Sequence, residues 1–210
     1  MRRLFLSSLF VSSALVSACA LKDVPSENDG GTTDGSTSGE LSFEGPLVLS
    51  DQTVIALDGE ALPQASSPCR PPMLARVFRA LDGDTLQVDE AVENGRSGVR
   101  VRLLGMNSPE IAHEGNAAEC FGNESLAFTR QLEGRYVYLT YATRCTDQYD
   151  RDLAYVHIGT GDAGFFQRQL LRRGFGKTSF PQDNPTYSSL FSSDQQAAAQ
   201  ANVGLWSTCQ

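Results

Sequence analysis

The chain has 210 residues, enough for one domain with additional segments, and its 17 Lys and Arg against 25 Asp and Glu give a formal net charge of −8. That balance excludes broad electrostatic capture of nucleic acid, which needs a basic surface, but leaves room for a local cationic pocket. Most of the excess negative charge lies in residues 1–70, where Arg2, Arg3, Lys22 and Arg70 stand against nine acids, so the remainder of the chain is closer to neutral.

Arg2 and Arg3 open the chain, and Leu4 to Val16 form an apolar run too short to span a bilayer. The run ends Val16-Ser17-Ala18-Cys19, which resembles a bacterial lipobox. Residues 1–19 therefore read as a lipoprotein signal peptide, with Cys19 acylated as the first mature residue and a lipid anchor at an outer membrane or another outward face of the cell envelope. An ordinary secretory signal is the alternative. Residues 20–41 are Gly, Ser, Thr, Asp and Glu with few large apolar groups, a flexible tether. Residues 42–72 read as an arm or an added strand pair, with Leu47-Val48-Leu49 and Thr53 to Leu57 as short strands and a turn at Asp58-Gly59.

The folded body runs over residues 73–210. Leu74 to Leu81, Leu86 to Val88 and Val99 to Leu104 read as three strands joined at Asp82-Gly83 and Asn94-Gly95, a meander. A polar loop fills Gly105 to Gly122, and Glu124 to Leu132 reads as a helix. Tyr136 to Tyr141 and Leu153 to Ile158 are strand-like. Ala163 to Arg173 is a helix stopped by Gly174. A longer helix spans Tyr187 to Ala201, with Tyr187, Leu190, Phe191, Ala198 and Ala201 on one face. Besides Cys19 there are Cys69, Cys120, Cys145 and Cys209. An even number in an exported chain favours disulfides, with three pairings open, and no pair has the spacing of a metal knuckle.

Three polar segments interrupt the apolar runs: Asp82-Gly83-Asp84-Thr85, Arg102 to Glu110, and Asp147 to Tyr155. Carboxylates hold hard cations and arginine grips phosphate, so one site holding both suits phosphodiester chemistry. Singly, each segment has a plain explanation: a turn, a buried ion pair, a strand exit, a hairpin corner. His113 and His157 have no evident chemical role and read as solvent-exposed.

Jointly, the segments resemble the thermonuclease family, over residues 73–208. The matching residues are Asp82-Gly83-Asp84-Thr85, Arg102-Leu103-Leu104 with Ser108-Pro109-Glu110, Phe121-Gly122 before Glu124-Ser125, Asp147 with Tyr149, Arg151 and Leu153-Ala154-Tyr155, then Arg173-Gly174, Lys177 and Gly204-Leu205-Trp206-Ser207. The resemblance implies an α+β fold, a five-stranded OB barrel with three α-helices, and a calcium-dependent nuclease acting on DNA or RNA without strong sequence preference and as a monomer. It implies Asp84, Asn107 and the Ser108 carbonyl at a Ca²⁺ ion, Glu110 as general base, Arg102 and Arg151 as phosphate clamps, and Tyr149 and Phe180 as substrate contacts. Asn107 stands where the family has a carboxylate, and Gln148 where it has a lysine. The loss of charge at Asn107 raises the expected calcium requirement. It also motivates the competing reading, a catalytically weakened OB module that binds nucleic acid or protein. The same resemblance suggests the disulfides Cys120–Cys209 and Cys69–Cys145.

Overall fold

The computed structural model describes residues 41–113, 115–180 and 186–209. The signal peptide, Cys19 and nearly all of the tether lie outside the described residues.

Residues expected as strands in the arm instead form a short helix, α1, Asp51–Ile55. Thr53-Val54-Ile55 is β-branched and favours a strand in isolation, but Ser50 caps the turn by accepting from the Thr53 N–H, and Asp51 sits in its first turn. Val54 is buried, so capping and burial override the local strand preference.

Five strands close the barrel: β1 Met73–Ala80, β2 Thr85–Glu90, β3 Val99–Leu103, β5 Tyr136–Thr146 and β6 Asp152–His157, in the order β1-β2-β3-β6-β5. All pairings are antiparallel except β3 with β6. Alternation puts Val77, Leu86, Val88, Val101, Leu103, Val137 and Leu139 into the core. Closure leaves this barrel no free edge. The parallel β3–β6 register pairs Val101 with Asp152 and Arg102 with Leu153, so Arg151, just before β6, comes within about two residues of Arg102 along the paired strands.

Two features fall where the sequence suggested only loop. Gly105–Asn107 is a strand, β4, paired with β7, Lys177–Ser179. Three-residue strands have no period to read, and this pair exists only because tertiary structure brings distant segments together. The chain also ends in a short helix, α5, Leu205–Thr208.

Three longer helices pack on the barrel: α2 Gly122–Thr129, α3 Phe166–Arg172 and α4 Ser188–Gln200. The expected helix over 163–173 is a turn at Asp162–Gly164 followed by α3. It ends in a Schellman motif: Gly174 has φ +71°, its N–H reaches the Leu171 carbonyl, and the Phe175 N–H reaches that of Leu170.

Cysteine pairs Cys69–Cys145 and Cys120–Cys209 are bonded, with Cα atoms 5.6 and 5.7 Å apart. The first ties the arm to β5, and the second ties the start of α2 to the C-terminal segment. His157 is not exposed. It lies inside β6, 1% accessible, with Nε2 2.9 Å from the Thr140 hydroxyl, which itself donates to the Pro63 carbonyl. A carbonyl only accepts, so the Thr140 oxygen takes the Nε2–H of a neutral imidazole. Burial pushes the His157 pKa down to about 4. His113 is exposed.

Candidate active site

The turn between β1 and β2 places Asp84 in a tight corner. A side chain on Gly83 would collide with Ser108 and Ser125, so only glycine lets the turn lie against β4 and α2. The Thr129 hydroxyl on α2 then donates to the Gly83 carbonyl at 2.8 Å. Asp84 is 5% accessible, and its Oδ2 accepts the Ser108 N–H at 2.8 Å.

Arg102 reaches this corner from β3, because Thr85 and Arg102 are cross-strand partners. Its Nη1 lies 2.9 Å from Asp84 Oδ2 and donates to the Leu103 carbonyl, while Nη2 donates to the Asn107 amide oxygen at 2.7 Å. Burial, the largest influence, and the adjacent Asp82 push the Asp84 carboxyl up to about 7, against the opposing pull of Arg102. A buried carboxylate beside a second one, with a guanidinium already in contact, is a place where further positive charge lowers the free energy.

Arg102 has no acceptor, so the Asn107 oxygen must face it and the amide NH₂ must face the other way. That NH₂ donates to the Ser108 carbonyl at 3.2 Å. Asn107 therefore bridges the guanidinium to the carbonyl expected at the metal.

Arg151 stands on the hairpin between β5 and β6. Asp147 builds that hairpin. Its Oδ1 accepts from the Tyr149 and Arg151 N–H groups at 2.9 and 3.0 Å, and its Oδ2 from Arg151 Nε at 2.7 Å. Burial works to raise the Asp147 pKa, but the hydrogen bonds from Arg151 and Tyr149 outweigh it and hold the carboxyl below its ordinary range. Asp150 takes the left-handed turn conformation at φ +58°. The Arg151 guanidinium lies over the Tyr149 ring, 5.6 Å from its centroid.

Arg102, Arg151 and Tyr149 line one groove of about 390 Å³, with Arg144, Asp147 and Gln148 beside them and the Leu103–Met106 segment as its apolar wall. Glu110 is attached to the site through the chain, two residues beyond Ser108. Its main chain is held by Glu119, whose carboxylate accepts the Glu110 N–H and whose N–H donates to the Glu110 carbonyl. Its side chain is exposed and, among the described residues, makes no hydrogen bond to Arg102 or Arg151. Phe180 is half-buried, its ring 6.0 Å from that of Phe191 and close over Gly105. These contacts pack it on the barrel.

Residues 100–208 match the family described as Staphylococcal nuclease homologue. The chain belongs to that family. It is 30% identical over 133 residues to the thermonuclease of Staphylococcus hyicus, covering 63% of this chain and 75% of that one. It is 30% identical over 131 residues to the thermonuclease of Staphylococcus intermedius, covering 62% and 74%. Endonuclease Htp3 of Saprolegnia parasitica is 26% identical over 148 residues, covering 63% and 69%. The protein is thus a nuclease, an enzyme that hydrolyses nucleic acid, and its five-stranded barrel with packed helices is the architecture the resemblance implied.

Two groups at this nuclease's site had no role assigned from the sequence. Asp147, the latch of the hairpin, was signalled by Asp followed by Gln-Tyr-Asp, the pattern of an Asx turn. Arg144 carried no signal beyond its charge.

Proposed function

We propose that the protein is an exported, lipid-anchored, calcium-dependent nuclease that cleaves DNA or RNA without strong sequence preference. The observation that carries the reading is the convergence of Arg102 and Arg151 on one groove, with Arg102 also ion-paired to the buried Asp84 carboxylate.

In this reading Arg102 and Arg151 hold the scissile phosphate from two sides. Their guanidiniums neutralise charge that grows on its oxygens as water adds. Both are oriented before substrate arrives, Arg102 by Asp84 and Asn107 and Arg151 by Asp147, so little reorganisation remains to be done during reaction. The Tyr149 hydroxyl reaches a neighbouring phosphate. Glu110 takes the proton of the attacking water, and its solvent-facing carboxylate suits that exchange.

The donors near Asp84 fit a hard cation, being carboxylate and carbonyl oxygens, with Asp82 adding nearby negative charge. Asp84 and the Ser108 carbonyl would hold Ca²⁺, which when bound polarises a phosphoryl oxygen. Asn107 contributes less than a carboxylate would, since its oxygen faces Arg102 and its NH₂ competes with a cation for the Ser108 carbonyl. Replacing Asn107 by Asp should tighten Ca²⁺ binding, read by calorimetry, by about an order of magnitude; unchanged affinity would remove Asn107 from the metal's surroundings.

DNA digestion with calcium against chelator, in wild type and Glu110→Gln, tests the reading. Calcium-dependent cleavage lost in E110Q supports it. Equal retention of intact DNA by both proteins would favour a binding module. Incorporation of labelled fatty acid, abolished by Cys19→Ser, tests the anchor.

A further inference from the structure

We propose that the outer face of strands β1 to β3 extends the substrate groove and binds single-stranded nucleic acid, with Arg100 and Arg79 on backbone phosphates and Phe78 stacked on a base. The proposal rests on the reading of the Arg102–Arg151 groove as the place of cleavage, and it names the substrate class that groove is fed with.

Alternation on β3 puts Arg100 and Arg102 on the same outward face, two residues apart. Register carries that face across the sheet: Arg100 is the cross-strand partner of Gln87, and Gln87 that of Arg79. The contacts agree. Arg79 Nε donates to Gln87 Oε1 at 2.8 Å, and Arg100 Nη2 donates to the Tyr149 carbonyl at 2.7 Å. A row of side chains therefore runs from β1 to the hairpin that bears Tyr149 and Arg151, with Arg79 and Arg100 about 10 Å apart at the backbone.

Arg102 and Arg151 are each ion-paired with an aspartate. Arg79 and Arg100 are exposed, and their hydrogen-bond partners, an amide and a carbonyl, are neutral; among the described residues no carboxylate lies within ion-pair distance of either. A phosphate supplies that missing charge. Asp89 on the neighbouring row is the nearest acid along β2, and its Oδ1 already accepts the Gly98 N–H at 2.8 Å. The chain as a whole carries −8 and repels a polyanion, so productive encounter depends on a cationic face that leads into the groove.

Phe78 is the second, independent observation. The β1–β2 register shifts between Val77 and Arg79, so Phe78 is the extra residue of a bulge, and the bulge turns both Phe78 and Arg79 outward. At 63% accessible it is the most exposed large apolar side chain among the described residues, followed by Tyr149 at 61%. These two rings belong to the two ends of the arginine row. A strand lying along the row finds a ring at each end on which a base can stack. Stacking needs a base with a free face, which a duplex interior does not offer, so the occupant is a single strand.

The test uses the full chain with Phe78→Ala, Arg79→Ala and Arg79→Glu, because neither residue is bonded to the hairpin, whereas Arg100 is. Anisotropy of a labelled single strand of about twelve nucleotides, with chelator present, should show F78A binding about tenfold more weakly at an unaltered salt slope. R79A should shrink the slope of log affinity against log salt by about 0.7, one phosphate contact on a single strand, and R79E should weaken binding further. The preference for single strand over a duplex of the same sequence should fall about tenfold in F78A. In turnover, the ratio of KM for a dinucleotide to KM for the longer strand should fall in each variant. A wild type that shows these binding differences but does not cleave would overturn the reading of the groove and leave the face in place. Full single-strand affinity in F78A, or an unaltered slope in both Arg79 variants, would overturn the proposal. So would F78A that no longer sediments with phosphatidylglycerol vesicles but keeps its affinity for the strand, which would make the face a membrane contact. Because both side chains are exposed, the variants should melt with wild type; a lowered Tm with wild-type affinity would count against the face.

Discussion

Arg102 and Arg151 face one groove, but the structure holds them by opposite means. Arg102 stands on a barrel strand, is 15% accessible in its side chain, and pairs with a buried aspartate. Arg151 stands on a hairpin, is 26% accessible, and pairs with an aspartate four residues earlier in the chain. The first is fixed by long-range packing and is part of the fold. The second is fixed by a local turn, and the fold does not depend on it. The same chemical group is thus coupled to global stability at one position and almost uncoupled at the other.

Replacing each arginine should expose that difference most strongly. R102A and R151A should both lower kcat, by roughly two to three orders of magnitude, the usual loss when a group that stabilises developing charge is removed. Only R102A should also destabilise the protein, by about 3 kcal/mol, because it strands Asp84 in a buried site. Denaturant midpoints with kcat for both variants check this; equal loss of stability would dissolve the contrast.

Asp147→Ala attacks the hairpin latch without touching either arginine. Three hydrogen bonds to Arg151 and Tyr149 go with it. Activity should fall about tenfold through misplacement of Arg151, with stability changed by at most about 1 kcal/mol. In an R151A background the same substitution should add little, since residues acting as a unit are not additive.

The contrast also explains which parts of this molecule could be read from its sequence. Val99-Arg100-Val101-Arg102-Leu103 announces a strand with a polar face because alternation is local. The Asx turn at Asp147 is local too. Asp84 and Arg102 are recognisable as chemical types, but their contact depends on the β2–β3 register, and the orientation of Asn107 depends on Arg102. The β4–β7 pair was missed for the same reason, as partners far along the chain decide it; helix α1 was missed because the Ser50 cap and the burial of Val54 together outweigh a local strand preference. His157 was misjudged because β6 is buried on both faces, between β3 and β5 and under α3, where Gln167 bonds the Ala154 and Val156 backbone. The apolar run Leu153-Ala154-Tyr155-Val156 was the available hint of that burial.

The two disulfides offer a finer test. They close loops of similar length, with separations of 76 and 89 residues, so removing either should cost a similar amount, about 4 kcal/mol. Only Cys69–Cys145 lies at the foot of the hairpin. There Arg70, next to Cys69, also pairs with Asp152 at 2.8 Å where the hairpin ends. The Cys69/Cys145 double Ser variant should therefore lower kcat about threefold under conditions where it is fully folded. The Cys120/Cys209 variant should leave kcat unchanged.

Acid should separate the barrel from the hairpin by the smallest margin. Within the barrel two groups titrate in one pH window with opposite sign. His157 has a pKa lowered to about 4 from 6.5, so below pH 6.5 the unfolded chain takes up the proton first and stability falls, by about 2 kcal/mol at pH 5. Asp84 has its pKa raised to about 7 from 3.8, so over the same fall in pH the folded state takes up the proton first and stability rises. The Asp147 latch, with a lowered pKa, keeps its stabilising charge throughout this window and loses it only as pH falls below the ordinary carboxylate range. In chelator, wild type should therefore show a flattened stability profile between pH 7 and 5, because the two barrel terms offset. His157→Phe removes one of them. Its urea midpoint should rise on acidification where that of wild type barely moves, and parallel profiles for the two proteins would mean that His157 is not the buried neutral group that opposes Asp84.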